Sequence, residues 1–405
     1  MTLHRIPTRE LRIGMFFERA DGTWLDHAMW RTRFLVATQP QLDAVLRCGA
    51  ELCWIDPDRA VDSAGSDAEP AMHESAAAPV ASPRAVPRVV RPPSLELESV
   101  RAARVCSAAR DAVVSIFDDV RLGKAPNIEA TRPIVEQIVE SSFSRPGALL
   151  GLLHLKKADD YTFTHSVSVC ALAAVLGREL GFDALRCRAV ALGGLLHDVG
   201  KALIPLEILN KPGKLNAAEF EQVRRHPTLG HQLLLDSHFE DPDPLDVCLH
   251  HHEKLDGSGY PEGLSGDAVS LMARIGAVCD VFDAVTTNRT YKDAWDPAMA
   301  LREMASWSGH FDRRVLAAFI KAVGIYPVGT LVRLASSRLA VVVEHQPCDP
   351  RAPVVRVFFS VKSNEPLPTQ LVDLASGSGA DRILDVEPRA RWNFPHLNGL
   401  SRVIL

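Results

Sequence analysis

The sequence predicts a mainly α protein: a helical bundle preceded by a small mixed α/β unit and followed by a short β unit. Three features carry that expectation. Helical patterning dominates from about Leu95 to Ala322; alternation and β-branched runs replace it after Tyr326-Pro327; and an Ala/Ser/Pro/Glu-rich stretch separates the first 60 residues from the helices. At 405 residues the chain has the length of roughly two to four domains. Its 47% apolar and 23% charged content fits a soluble globular protein and excludes a chain that is disordered or collagen-like throughout.

Residues 1–60 read as the small mixed unit, with an apolar start (Leu11, Ile13, Met15, Phe16, Phe17), a turn at Asp21-Gly22, a helical stretch from Gln39 to Leu46 and a strand at Leu52 to Ile55. Residues 61–95 contain SAGSDAEPAMHESAAAPVASPRAVP, which buries too little surface to order itself and reads as a flexible linker. Connecting helices follow over 96–149. The main helical block, 150–326, is expected to hold helices at 161–181, 183–198, 216–225, 243–252, 270–287, 296–306 and 312–323. The runs TLVRL, LAVVVEH and PVVRVFFSV mark a β extension over 327–405, read as a meander packed on the helices, and residues from Arg389 onward carry little signal.

Charge narrows the partners. Lys plus Arg is 45 against 50 for Asp plus Glu, a net charge of −5, so no global basic field draws in a nucleic acid polymer or an anionic membrane. An anionic substrate must be held by local cations. Eight cysteines are scattered without a CxxC pair, several in apolar runs such as Val169 to Leu176. They read as buried reduced thiols of a cytoplasmic protein. MTLHRIPTRELRIG lacks a long apolar core and nowhere do eighteen uncharged apolar residues run together, so neither export nor membrane insertion is expected.

Histidine is the anomalous residue: nine of 15 fall between His154 and His252. On the helix beginning near Tyr161, the stripe Val169, Leu172, Leu176, Leu180 extends back one turn to His165, which therefore faces inward. In LLHDVGK an apolar helix ends on His197-Asp198 and breaks at Gly200. A buried ionised Asp is costly unless paired, and it can give one oxygen to each of two cations. His226 follows a helix opened by Asn216 with Glu219 three residues on, a near-capping-box pattern, and Pro227 comes directly after it. His250-His251-His252-Glu253 precedes the turn Asp256 to Pro261, and Asp280 lies in the apolar helix RIGAVCDVFDAV. Taken singly, each has an ordinary structural explanation, as a hydrogen-bonded core histidine, a cap or a salt bridge. Together they supply more donors than one catalytic zinc requires, which suggests two metals sharing Asp198. His250 reads as a surplus helix-face histidine, and His231 and His238 as surface or packing residues.

At this point the residues resemble a family. HD at 197–198, HHE at 251–253, DGSGYP at 256–261, KPGKL at 211–215 and NRTYKDA at 288–294 are similar to the HD-GYP domain, the bacterial branch of the HD hydrolases that degrades cyclic di-GMP. The resemblance spans about 150–326 and implies an HD-type helical bundle. RELRIGMFFERADGTWLDH and ELCWIDPDR resemble a domain of unknown function found ahead of HD-GYP domains. The family's metal ligands map onto His165, His197, Asp198, His226, His251, His252 and Asp280. Members with Glu four residues before the first histidine can bind a third metal; Tyr161 stands there, so two divalent ions are expected. The donor set suits Fe, Mn, Zn, Ni or Co, and the resemblance favours iron or manganese.

The resemblance further implies a metal-dependent phosphodiesterase that opens cyclic di-GMP to pGpG, and to GMP if a second cut follows, with a hydroxide held between the ions. Lys201 matches the family's lysine near the phosphate, and Arg289 and Lys292 match positions that contact the cyclic dinucleotide. The loop carrying Gly259, Tyr260 and Pro261 can line the substrate cleft or serve as a contact surface for partners, diguanylate cyclases among them. A purely structural turn is its alternative. The competing reading of the whole chain is a slow-turnover receptor or scaffold that binds the nucleotide and transmits a signal.

Overall fold

A computed structural model describes residues 3–20, 34–37, 39–46, 52–57, 95–144, 146–153, 161–211, 213–287, 294–346, 349–376, 381–392 and 394. They divide into two compact units, before and after about residue 92. In the first, strands β1 (His4–Pro7), β2 (Phe16–Ala20), β3 (Phe34–Leu35) and β4 (Leu52–Asp56) form an antiparallel sheet of order β1-β4-β2-β3, with helix α1 (Gln39–Leu46). Leu11, Phe17, Val36, Val45, Cys53 and Ile55 make its core. The expected helix and closing strand are both present; the turn at Asp21-Gly22 lies outside the described residues, as does the expected linker apart from Leu95.

The second unit is helical. Its first helices are α2 (Leu95–Arg121), α3 (Arg132–Ser144), α4 (Pro146–Leu153), α5 (Tyr161–Glu179) and α6 (Ala184–Leu196). A 3-10 turn over Val199–Leu203 leads to α7 (Leu206–Leu209), α8 (Ala217–Arg224), α9 (His226–Asp236) and α10 (Pro242–His250). The last three are α11 (Leu271–Thr286), α12 (Pro297–Ser306) and α13 (Arg313–Val323). One apolar core runs through the bundle, with α5 packed against α6, α3 and α11. Local chemistry starts several helices: Asp183 accepts from Arg186 N, Ser270 from Ala273 N, and Asn216 and Glu219 form a reciprocal capping box. The sequence reading did not resolve α4, α7 or α9. Pro227, directly after His226, occupies the first turn of α9, where its missing N–H costs nothing.

After the helices, β5 (Leu331–Leu334), β6 (Arg338–Glu344), β7 (Val354–Ser360) and β8 (Glu365–Asp373) form the expected antiparallel meander, and β9 (Ile383–Val386) returns to pair with β5. The sheet lies against the helices where β6 meets α4.

One close crossing positions the site. A Cβ on Gly200 would sit 2.0 Å from His226 O and 2.5 Å from Gly230 N, so only glycine lets the 3-10 turn after Asp198 rest on the start of α9. Gly200→Ala is therefore expected to force the two segments apart, at the level of about 1–3 kcal/mol or more for overpacking. A lowered thermal midpoint together with reduced bound metal would bear this out; a midpoint and metal content unchanged from wild type would sink it.

Candidate metal centre

All seven expected donors come together inside the bundle. His165 comes from the first turns of α5, His197 and Asp198 from the end of α6, and His226 from the first position of α9. His251 and His252 follow α10, and Asp280 sits in mid-α11. His165, His197, Asp198, His226, His251 and Asp280 are buried, and His252 has a side-chain exposure of 25%. The two carboxylates divide the histidines into two sets. Asp198 Oδ1 faces His226 Nε2 at 3.2 Å and His251 Nε2 at 4.0 Å. Asp198 Oδ2 faces His197 Nε2 at 3.3 Å and His165 Nε2 at 3.7 Å. Asp280 Oδ1 lies 2.9 Å from His165 Nε2 and 3.8 Å from His197 Nε2, while its Oδ2 lies 3.8 Å from His252 Nδ1. Ligand atoms of His165, His197 and Asp280 fall within 4.8 Å of one another, as do those of His226, His251 and His252, and those of His197, Asp198 and His251.

The orientation of each ring indicates what the centre takes. His197 Nδ1 is 2.8 Å from Gly194 O, His226 Nδ1 is 2.7 Å from Val223 O, and His251 Nδ1 is 3.1 Å from both Val247 O and Cys248 O. A carbonyl only accepts, so these rings donate from Nδ1, and when neutral each turns an Nε2 lone pair inward. The Nε2 atoms of His226 and His251 then face each other at 3.2 Å with no proton between them. Among the described residues, His197 Nε2 and Asp198 Oδ1 are buried without a hydrogen-bond partner. Lone pairs converging on a buried carboxylate are unfavourable by themselves and are satisfied by cations, so the donor set fits divalent metal.

At His226, His251, His252, Asp198 and Asp280 protonation agrees with ligation. Burial pushes His226 down, drives His251 well below its ordinary range with help from the neighbouring imidazoles, and lowers His252 to about 3. Burial alone would raise Asp198 and Asp280, but His197 and Lys201 around the first and His165 beside the second hold both well below the usual carboxylate range. Burial lowers His165 too, yet hydrogen bonds to Asp280 and Asp283 outweigh it and raise its pKa. Three neutral imidazoles and two ionised carboxylates are in the states that bind metal.

Lys201 Nζ reaches Asp198 Oδ2 at 2.6 Å, and Lys201 faces a cleft of about 340 Å³ that Lys254, Tyr260 and His310 also line. Gly259 lies against the chain before it: a Cβ there would stand 2.5 Å from Glu253 Cα, and Tyr260 stacks on His252 with ring centroids 4.6 Å apart. Pro261 is exposed on the same loop. Arg289 and Lys292 lie outside the described residues, as does the side chain of Tyr161. His250 stays out of the donor groups, with Nδ1 2.7 Å from Asp246 Oδ1, in keeping with a helix-face histidine. Sequence reasoning missed Asp283, whose Oδ2 lies 2.6 Å from His165 Nδ1 and fixes that ring. The available signal was a second carboxylate three residues after Asp280 in the same apolar helix. It also gave no role to Lys254 or His310; the latter reaches the cleft from a stack with Trp307 and Phe311.

The HD domain family matches residues 142–315, and a domain of unknown function, DUF3391, matches residues 3–131. The chain is 47% identical over 397 residues to the cyclic di-GMP phosphodiesterase PA4108 of Pseudomonas aeruginosa, covering 98% of this chain and 95% of that protein. The chain belongs to the HD-GYP family of phosphodiesterases. This HD-GYP protein is 42% identical over 153 residues to the cyclic di-GMP phosphodiesterase response regulator RpfG of Xanthomonas campestris, covering 37% of this chain and 40% of that one. It is also 42% identical over 150 residues to 3'3'-cGAMP-specific phosphodiesterase 1 of Vibrio cholerae, covering 37% of this chain and 34% of that one. No described helix is long and apolar enough to cross a membrane.

Proposed function

We propose that this HD-GYP phosphodiesterase hydrolyses cyclic di-GMP to linear pGpG, with GMP as the product of any second cut, at a centre of two divalent ions. The observation that carries this reading is the division of Asp198: one carboxylate oxygen is turned to His226 and His251, the other to His165 and His197. Asp280 and His252 complete the ligand set. Bound there, the ions supply Lewis-acid polarisation of a phosphodiester oxygen and lower the pKa of water. Iron or manganese is favoured.

The chain's own part is to hold, orient and neutralise. Opening the ring forms a P–O bond to water and breaks the bond to a ribose 3′ oxygen, so negative charge grows on the phosphoryl and leaving oxygens. Lys201 keeps a cation on the cleft side of Asp198, where that charge develops. Arg289 and Lys292 are assigned to the nucleotide's phosphate or guanine edge. These local cations, with Lys254, resolve the problem posed by a net charge of −5. The exposed edge of the 256–263 loop, including Ser258 and Pro261, is available to a protein partner such as a diguanylate cyclase.

The test is a time course on protein purified anaerobically under reducing conditions. Two ions per chain and conversion of cyclic di-GMP to pGpG, faster than any turnover of 3'3'-cGAMP, are expected. Tight binding without product would replace the enzyme reading with the receptor reading.

A further inference from the structure

The rings of the centre are not held alike. His197, His226 and His251 each donate Nδ1–H to a backbone carbonyl, and His165 is held by Asp283. The ring of His252 makes no hydrogen bond to the protein among the described residues, and its nearest carboxylate oxygen, on Asp280, is 3.8 Å away. What lies against it is a ring: Tyr260 is stacked on His252 at 4.6 Å and 29°. The guanidinium of Arg224 lies over the Tyr260 ring at 4.8 Å.

The loop that carries Tyr260 is in turn bonded to a carboxylate to which neither the metal nor the chemistry gives a role. Glu253 follows His252 directly and is 2% exposed. Its Oε1 accepts from Glu262 N at 2.7 Å and Gly263 N at 3.0 Å, and its Oε2 accepts from Leu264 N at 3.0 Å. Three backbone donors on the returning limb of the loop thus end on one buried side chain. Tyr260 N donates to His252 O at 3.3 Å, so the loop also rests on the backbone of the residue whose ring it covers. A carboxylate with several backbone N–H partners is a strong and directional anchor.

We infer that Glu253 and Tyr260 are positioning residues for the ion held by His226, His251 and His252. Glu253 anchors the returning limb, the limb fixes Tyr260, and the Tyr260 ring holds His252 in its ligating orientation in place of the hydrogen bond that the other histidines have. The loop's glycine serves the same end, because a side chain at Gly259 would push the loop off His252 O and Glu253 Cα, 2.7 and 2.5 Å from its Cβ position. Outer-shell partners of metal-bound histidines typically tune metal affinity by about 10–100-fold. This inference rests on the two-ion reading of the centre and extends it to a segment that would otherwise be assigned to substrate or partner contact.

The test titrates Mn²⁺ into chelator-stripped full-length protein, read by competition with a chelating dye and by electron paramagnetic resonance. Wild type is expected to take two ions that give a coupled spectrum. Tyr260→Phe keeps the flat ring and should match wild type. Tyr260→Ala, Tyr260→Leu and Glu253→Gln should each weaken one site by about 10–100-fold, leave the other within about twofold, and convert the spectrum to that of a single ion. Tyr260 is partly exposed, so Tyr260→Leu retains enough apolar bulk to fold, with circular dichroism as the check. Tyr260→Ala or Tyr260→Leu binding both ions with wild-type affinity, with only KM raised, would overturn the inference in favour of substrate contact. Equal weakening of both sites in all variants would overturn it in favour of general destabilisation. If wild type itself takes fewer than two ions, the two-ion reading fails first, and that outcome is distinct from either.

Discussion

Asp198→Asn is expected to abolish turnover, with kcat falling at least about 10³-fold, and to strip most of the bound metal. The substitution keeps the side chain's volume, so packing at this fully buried position is preserved. The charge and one acceptor oxygen are lost. In wild type the carboxylate is ionised because His197 and Lys201 overcome the burial that would otherwise neutralise it. An amide has an NH₂ group in place of one oxygen, and that group would meet either the Nε2 lone pairs of His226 and His251 or the Lys201 ammonium and the His197 and His165 edges. Neither set of ligands keeps its bridge. Elemental analysis of the purified variant beside its kinetics decides the matter. A variant that still carries two ions and still opens cyclic di-GMP would remove Asp198 from the centre and, with it, the argument for two ions sharing one carboxylate.

The same carboxylate measures how far the sequence could be read. His165 was legible because an apolar stripe has a fixed period: stepping one turn back from Val169 lands on it, and the residue is indeed buried. Asn216 and Glu219 were legible because a capping box is local, and both of its hydrogen bonds are present. Contacts between distant residues were not. Asp283 meets His165 across 118 positions, and nothing in either segment alone requires it. The helix α4 escaped because PGALLGLL is apolar all round and has no period to detect. The strand β8 escaped because most of its residues are exposed and it holds Pro366 and Pro368, both unusual inside a sheet. The DGSGYP loop was legible as a turn, but its fit to His252 depends on Glu253, which sequence alone gives no reason to see as an anchor.

Lys201→Ala is expected to have the second-largest effect: metal retained, kcat reduced about 10²–10³-fold, and KM changed much less. Lys201 sits on the 3-10 turn three residues after Asp198 and is 22% exposed, between the buried carboxylate and the cleft. Its Nζ contacts Asp198 Oδ2, an oxygen also approached by His197 and His165. Removing the ammonium therefore takes one cation from that carboxylate while leaving every histidine in place, and metal binding should survive. What is lost is a positive charge beside the oxygens that gain negative charge as the phosphodiester opens. A charge that matters only as the bond breaks lowers kcat and leaves ground-state binding largely intact. Lys201→Met keeps the stem without the charge and should behave like Ala, which separates electrostatics from packing along the cleft wall. Kinetics unchanged from wild type would remove Lys201 from the reaction. Loss of metal in both variants would assign it instead to holding Asp198 in position, and the two results are told apart by measuring ions per chain before any rate.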